Sequence, residues 1–222
     1  MEGTNRGRMT VRMHGRSSVV VIVLLALLLA AFALPACGSS SGGSGTTSAG
    51  SGDTKTYADA DYGYSFEYPA SWKIQQETSV DVSAGGTSTG GVGVFDPKGA
   101  KAGDIYIDLM LVSVYKLTVT VDDSVFPQLK SEIESVLTSL ESQGTGMQVK
   151  EPLAQTTAAG MKGYNVTYSF TKDGAPCTST LYFLFDGNME YQLTTQAADE
   201  NWEADQPVFN AMIASFKPAA AK

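Results

Sequence analysis

An unbroken apolar run of 16 residues, Val19 to Leu34, opens the hydrophobic pattern of this chain. It falls short of the ~20 residues that a membrane-spanning helix needs and matches the hydrophobic region of a signal peptide. Residues 38–56 then carry almost nothing but Ser, Gly, Thr and Ala. Beyond them the pattern acquires a period. Tyr64 to Tyr68 alternates as a strand, and Pro69-Ala70-Ser71-Trp72 turns the chain. Thr78 to Gly91 is polar and Gly-rich and reads as a loop, Val92 to Phe95 as a short strand, and Pro97 to Gly103 as a turn. Ile105 to Tyr115 reads as a longer strand, with Ile105, Ile107, Leu109 and Leu111 on one face and Asp108 breaking the other.

The period then shifts to that of a helix. Val125, Leu129, Ile133, Val136, Leu137 and Leu140 recur at spacings of three and four. Asp122, Asp123 or Ser124 supplies the cap, Pro127 fits the first turn, and Gly144 closes the helix. Alternation returns at Tyr164, Val166, Tyr168 and Phe170, and continues from Cys177 to Phe185 and from Met189 to Thr195. Asp173-Gly174 and Asp186-Gly187 separate these runs, and Asp-Gly between alternating runs marks a tight hairpin. The spacing therefore predicts an antiparallel meander over 161–196. Phe209, Met212, Ile213 and Phe216 mark a final amphipathic helix, with Pro207 near its start and Pro218 beyond its end. Grouped strands bordered by helices predict an α+β domain.

The leader changes the reading of the whole chain. Arg6, Arg8, Arg12 and Arg16 precede the apolar run, as the positive-inside rule requires. The run ends in Leu34-Pro35-Ala36-Cys37-Gly38, which resembles a bacterial lipobox, where a small residue precedes a cysteine that is lipidated and becomes the first residue. An uncleaved anchor, or an ordinary secretory signal cut at Ala36, is the competing reading. Met1, Met9 and Met13 are all possible starts; a leader from Met13 has 24 residues. The Ser/Gly segment cannot bury enough apolar area to fold. As a flexible coil its 19 residues span roughly 24 Å, enough for a tether.

Charge narrows the function classes. The leader takes four of the 15 basic and one of the 23 acidic residues, leaving 11 against 22 and a net charge of −11. None of the remaining basic residues is arginine. Nucleic acid, which requires a basic face, is a poor partner for such a domain. The only histidine, His14, lies in the leader. After cleavage there is no Ser-His-Asp or Cys-His system and no histidine-containing zinc site. Cys177 is then the sole thiol other than Cys37 and reads as a small buried residue.

Other motif matches fail on context. Gly38-Ser39-Ser40-Ser41-Gly42 has the G-x-S-x-G pattern without the strand and helix of a nucleophile elbow. Ser169-Phe170-Thr171-Lys172 has the S-x-x-K pattern, but on a strand Ser169 and Lys172 point to opposite faces. Asp59-Ala60-Asp61 begins like a calcium loop, yet position 12 is Ala70 rather than Glu. Asp199, Glu200, Glu203 and Asp205 surround Trp202; they read as the solvated acidic start of a helix, with a weak cation site as the alternative.

Two ends of the domain carry a resemblance. The front is Asp61-Tyr62-Gly63-Tyr64-Ser65-Phe66-Glu67-Tyr68-Pro69-Ala70-Ser71-Trp72, and the back is Phe209-Asn210-Ala211-Met212-Ile213-Ala214-Ser215-Phe216-Lys217. With the helix-then-meander order between them, these resemble the PsbP-like superfamily, which includes bacterial envelope lipoproteins of the LpqN type. The resemblance implies an antiparallel β-sheet flanked by α-helices, an α/β/α sandwich used for binding, and brings no catalytic residues. Phe66, Tyr68, Trp72 and Phe216 are expected in the core.

The expected organisation is a signal peptide over 1–36, a lipidated Cys37 with a tether over 37–56, a PsbP-like domain over 57–218 and a tail over 219–222. The expected function is that of a non-catalytic protein-binding module, anchored through Cys37 to the outer side of the cell membrane. A carrier of a lipid or other hydrophobic molecule is the alternative. No cofactor or metal is expected, and the binding residues are not legible, although the Thr78–Gly91 loop is the first place to look.

Overall fold

A computed structural model describes residues 53–77, 87–142 and 146–219. The leader, Cys37, most of the tether, residues 78–86, Gly144 and the end of the tail lie outside the described residues.

Eleven strands and two helices are described. The chain enters through a hairpin of β1 (Thr54–Ala58) and β2 (Ser65–Pro69). β1 begins three residues before the expected start of the domain at 57. Next come β3 (Lys73–Glu77) and β4 (Thr87–Phe95). β4 takes in residues 87–91, which the sequence assigned to a loop. A small hairpin of β5 (Lys101–Ala102) and β6 (Ile105–Tyr106) precedes β7 (Leu109–Lys116). Helix α1 (Phe126–Ser142) follows, then β8 (Gln148–Ala158), which the sequence did not announce. β9 (Met161–Lys172), β10 (Ala175–Asp186) and β11 (Met189–Ala198) form the expected meander, and helix α2 (Trp202–Ser215) closes the fold.

Seven strands make one antiparallel sheet in the order β3-β4-β7-β11-β10-β9-β8. Apolar side chains cover both faces, and each face has its own helix. On one, Leu129, Ile133 and Leu137 of α1 meet Tyr164, Val166, Tyr168, Leu181 and Phe183. On the other, Phe209, Met212 and Ile213 of α2 join Phe66, Tyr68 and Trp72 over Val92, Val112 and Leu193. This is the predicted α+β class, with helix, sheet and helix in three layers.

The expected strand from Ile105 to Tyr115 needs correction. It breaks at Asp108, and both of its faces are covered: Ile107 and Tyr115 join the core under α1, while Met110, Val112 and Val114 join the core under α2. The cause is Asp108 itself, which is 1% exposed. Its Oδ1 accepts the Ala198 N–H at 2.9 Å, and its Oδ2 accepts the Ala100 N–H at 2.8 Å and an Asn201 Nδ2–H at 2.7 Å. A buried carboxylate is tolerated when its lone pairs are filled in this way. Asp108 thus staples the 96–108 excursion onto the junction of β11 and α2. Asn201, at the N-cap of α2, makes no side-chain capping bond, and its Nδ2–H is directed to Asp108.

Candidate functional site

Turns at one end of the sheet enclose a cleft of about 350 Å³, half open to solvent. One wall is the β8–β9 turn, where Ala159 and Gly160 take φ of +53° and +76°. Both central residues with positive φ define the turn type that suits a two-residue hairpin, although Ala lacks the glycine freedom such positions favour. The facing wall is Val121–Asp123. It is fixed by the Val121 N–H donating to Gly187 O at 2.8 Å and the Leu117 N–H donating to Asn188 O at 2.7 Å, both in the β10–β11 turn. Pro218, just past α2, contributes to the rim.

The floor is aromatic. Phe126 stacks on Tyr164 with ring centres 4.7 Å apart and meets Phe185 edge-on at 6.3 Å. The Tyr164 hydroxyl donates to Phe126 O at 3.0 Å, which locks the first turn of α1 to the sheet. Above this floor stand Asp122, Asp123, Asp186 and Lys162. Asp122 is the residue that caps the entry to α1: its Oδ1 accepts the Ser124 hydroxyl at 2.6 Å and the Ser124 and Val125 N–H groups at 2.9 and 3.1 Å. These bonds, the hydroxyl's first, hold its carboxyl below the usual range. Asp123 and Lys162 form an exposed ion pair at 2.8 Å.

The other sequence candidates lie elsewhere. Cys177 is fully buried, donates its thiol to Ala175 O at 3.3 Å, and burial pushes its pKa up, the reverse of an activated nucleophile. Ser169 and Lys172 lie on strand β9, three residues apart and so on opposite faces. Asp59 closes a local turn, accepting the Asp61 and Tyr62 N–H groups at 3.0 and 2.7 Å. The acidic residues around Trp202 separate: Asp199 accepts the Thr178 hydroxyl at 2.6 Å, while Asp205 is pushed up to about 6 by burial and by Asp108 and Asp96. Among the described residues no group of three or more Asp, Glu, Cys or His could hold a metal ion.

The sequence reading missed Glu190. It is 1% exposed on β11, set between Phe185 of β10 and Tyr115 of β7. Gln192 Nε2 donates to its Oε1 at 2.7 Å, and burial pushes its carboxyl up to about 7. The alternation Met189, Tyr191, Leu193 against Glu190 and Gln192 marks a two-faced strand, but gives no sign that the polar face is also covered.

Comparisons place the chain among known proteins. A family model described as PsbP-like protein matches residues 19–218. No curated protein matches by sequence. Among solved structures, the cyanobacterial PsbP (CyanoP) of Synechocystis is 16% identical, with a TM-score of 0.48, over 83% of this chain and 98% of that one. LpqN of Mycobacterium tuberculosis, described as involved in cell envelope biogenesis, is 14% identical with a TM-score of 0.47, over 80% of this chain and 91% of that one. A protein of Bacteroides thetaiotaomicron is 14% identical with a TM-score of 0.43 over 71% of this chain, which spans only 45% of that protein's length.

Proposed function

The chain belongs to the PsbP-like family, and from that premise we propose that it is a non-catalytic binding protein, anchored by lipid at Cys37 on the outer side of the cell membrane, whose cleft receives a partner protein. The observation that carries the binding reading is the cleft itself. It is preformed on tight, cross-bonded turns, and it combines an aromatic floor with charged walls. Ligands bind at concave sites where placed polar groups stand over an apolar base, and here the charged groups make up most of the open lining. A hydrolase would need a poised base beside a nucleophile. The thiol of Cys177 is buried and raised, and the cleft carboxylate Asp122 is committed to its cap.

Anchoring is supported by the order of basic leader, 16-residue apolar run, Leu34-Pro35-Ala36-Cys37 and Ser/Gly tether. No helix among the described residues is long and apolar enough to cross a membrane. A lipid carrier calls for an enclosed apolar cavity, whereas this cleft is open and bears three carboxylates and an ammonium.

Two measurements test the reading. Cys37→Ala is expected to abolish metabolic labelling by palmitate and to release the protein from membranes; a mutant that stays membrane-bound at full length refutes lipid anchoring. Native mass spectrometry of the lipoprotein extracted from its own membrane is expected to show a protein partner that Asp186→Lys releases. A retained lipid mass that survives this substitution favours the carrier instead.

A further inference from the structure

We infer that the cleft takes an arginine or lysine side chain presented by a partner protein. This rests on the binding role proposed above and names what the cleft binds. Charge sets the sign of the ligand: Asp122, Asp123 and Asp186 face a single ammonium, Lys162. The surrounding domain is itself strongly acidic, so the field outside draws a cation in rather than opposing it. The floor sets the shape of the ligand. Phe126 and Phe185 are buried except at their edges, which leaves a narrow apolar strip for a methylene stem beneath a charged head.

The Asp123–Lys162 pair can open for an incoming cation at little cost. Its side chains are 91% and 62% exposed, and ion pairs so placed contribute little stability. A guanidinium then takes a carboxylate with two parallel hydrogen bonds where Lys162 offers one point charge.

Openness argues for a macromolecular source. Sites for small ligands enclose most of the ligand surface, and a half-open cleft of about 350 Å³ does not. One or two side chains held by a folded partner suit it better, because the partner's own body covers the open side.

Orientation points the same way. The described chain enters at Asp53, next to Thr54, which lies opposite Pro69 at one end of the first hairpin. Ala58 and Ser65 pair at the other end, and Ser65 bridges to Lys217, the neighbour of the cleft residue Pro218. A tether joined at Asp53 therefore leaves from the end of the hairpin remote from the cleft. The attachment point of the tether thus leaves the cleft unobstructed for a partner protein.

The test uses the full-length lipoprotein in detergent with a defined probe. The probe is an amidated octapeptide carrying one arginine beside a diazirine-bearing leucine; its twin has glutamine in place of arginine. After photolysis, labelling is mapped by mass spectrometry. The arginine peptide is expected to label residues 121–126, 159–162 or 185–186 about three- to fivefold more than its twin, the factor that a charge pair with exposed carboxylates supplies. Asp123→Asn with Asp186→Asn is expected to erase the difference while the thermal melt stays unchanged. Equal labelling of the cleft by both peptides overturns the cationic ligand but leaves the cleft as a binding site. Absence of cleft labelling by either peptide overturns the site itself, and leaves lipid anchoring untouched. Competition by spermidine at concentrations below those of the peptide assigns the cleft to a free amine and overturns the protein source.

Discussion

Replacing Glu190 by Gln isolates the cost of burying a carboxylate between Phe185 and Tyr115. In the folded state this group titrates at about 7 instead of its ordinary 4.5, because burial disfavours the charged form more than the Gln192 bond favours it. The sign follows from proton binding. Below the unfolded value both states hold the proton and the burial costs nothing. Between the two values the unfolded chain releases its proton while the folded chain keeps it, so stability falls as pH rises. Above the folded value the loss levels off at about 3 kcal/mol, at 1.36 kcal/mol for each tenfold change in proton affinity. Gln is the same size, stays neutral and still accepts from Gln192. Urea denaturation of the wild-type and Glu190→Gln domains between pH 4 and 9 is expected to give a stability difference that grows in favour of the variant as pH rises through this window. Taking the difference removes the smaller slope of the same sign from Asp205, which is common to both proteins. A difference that stays flat from pH 5 to 8 shows that the carboxylate is solvated, and the reasoning fails.

Two further substitutions probe the backbone. Gly99→Ala places a Cβ 2.6 Å from Asp108 Oδ2, so the carboxylate must abandon one or more of its three bonds. A loss of about 1–3 kcal/mol is expected from chemical denaturation, and an unchanged midpoint shows that the staple is dispensable. Ala159→Asn puts a residue that tolerates positive φ at a position held at +53°. Its thermal midpoint is expected to rise by about 2–4 °C, the equivalent of roughly 1 kcal/mol in a domain of this size, and no rise means that the turn stores no strain.

The meander was legible because two Asp-Gly turns and a strict alternation agree, and α1 because its spacing matches the face that Leu129, Ile133 and Leu137 bury. Other elements were hidden for identifiable reasons. β8 is an edge strand with Lys150, Glu151 and Pro152 at its heart and register shifts at Val149/Glu151 and Glu151/Ala154. Those are the features that protect an open edge from further pairing, and they also suppress the strand signal. β1 lies in the Ser/Thr-rich stretch, with Tyr57 its one large apolar residue. The cleft could not be read at all, since its walls come from residues 121–126, 159–162, 185–186 and 218. Local pattern carries no information on which turns share an end of the sheet. Glu190 was misjudged for a related reason: alternation shows that a strand has two faces, and only the tertiary fold reveals that neither meets water.

The pairing of β7 with β11 has a consequence for the order of events when the chain first folds. Strands β8 to β11 pair with sequence neighbours and close short loops, so they form from the chain at hand. β7 has no such neighbour on one side. Leu109 waits for Gln196 and Leu111 for Thr194, and Ser65 waits for Lys217 beyond the last helix. A chain delivered N-terminus first therefore holds an unpaired β7 edge and an uncovered Phe66 until almost its final residues emerge. A truncation of the last 20 or so residues spares β11 but removes most of α2 and Lys217, and is expected to leave Phe66 and its neighbours uncovered and the protein prone to aggregation.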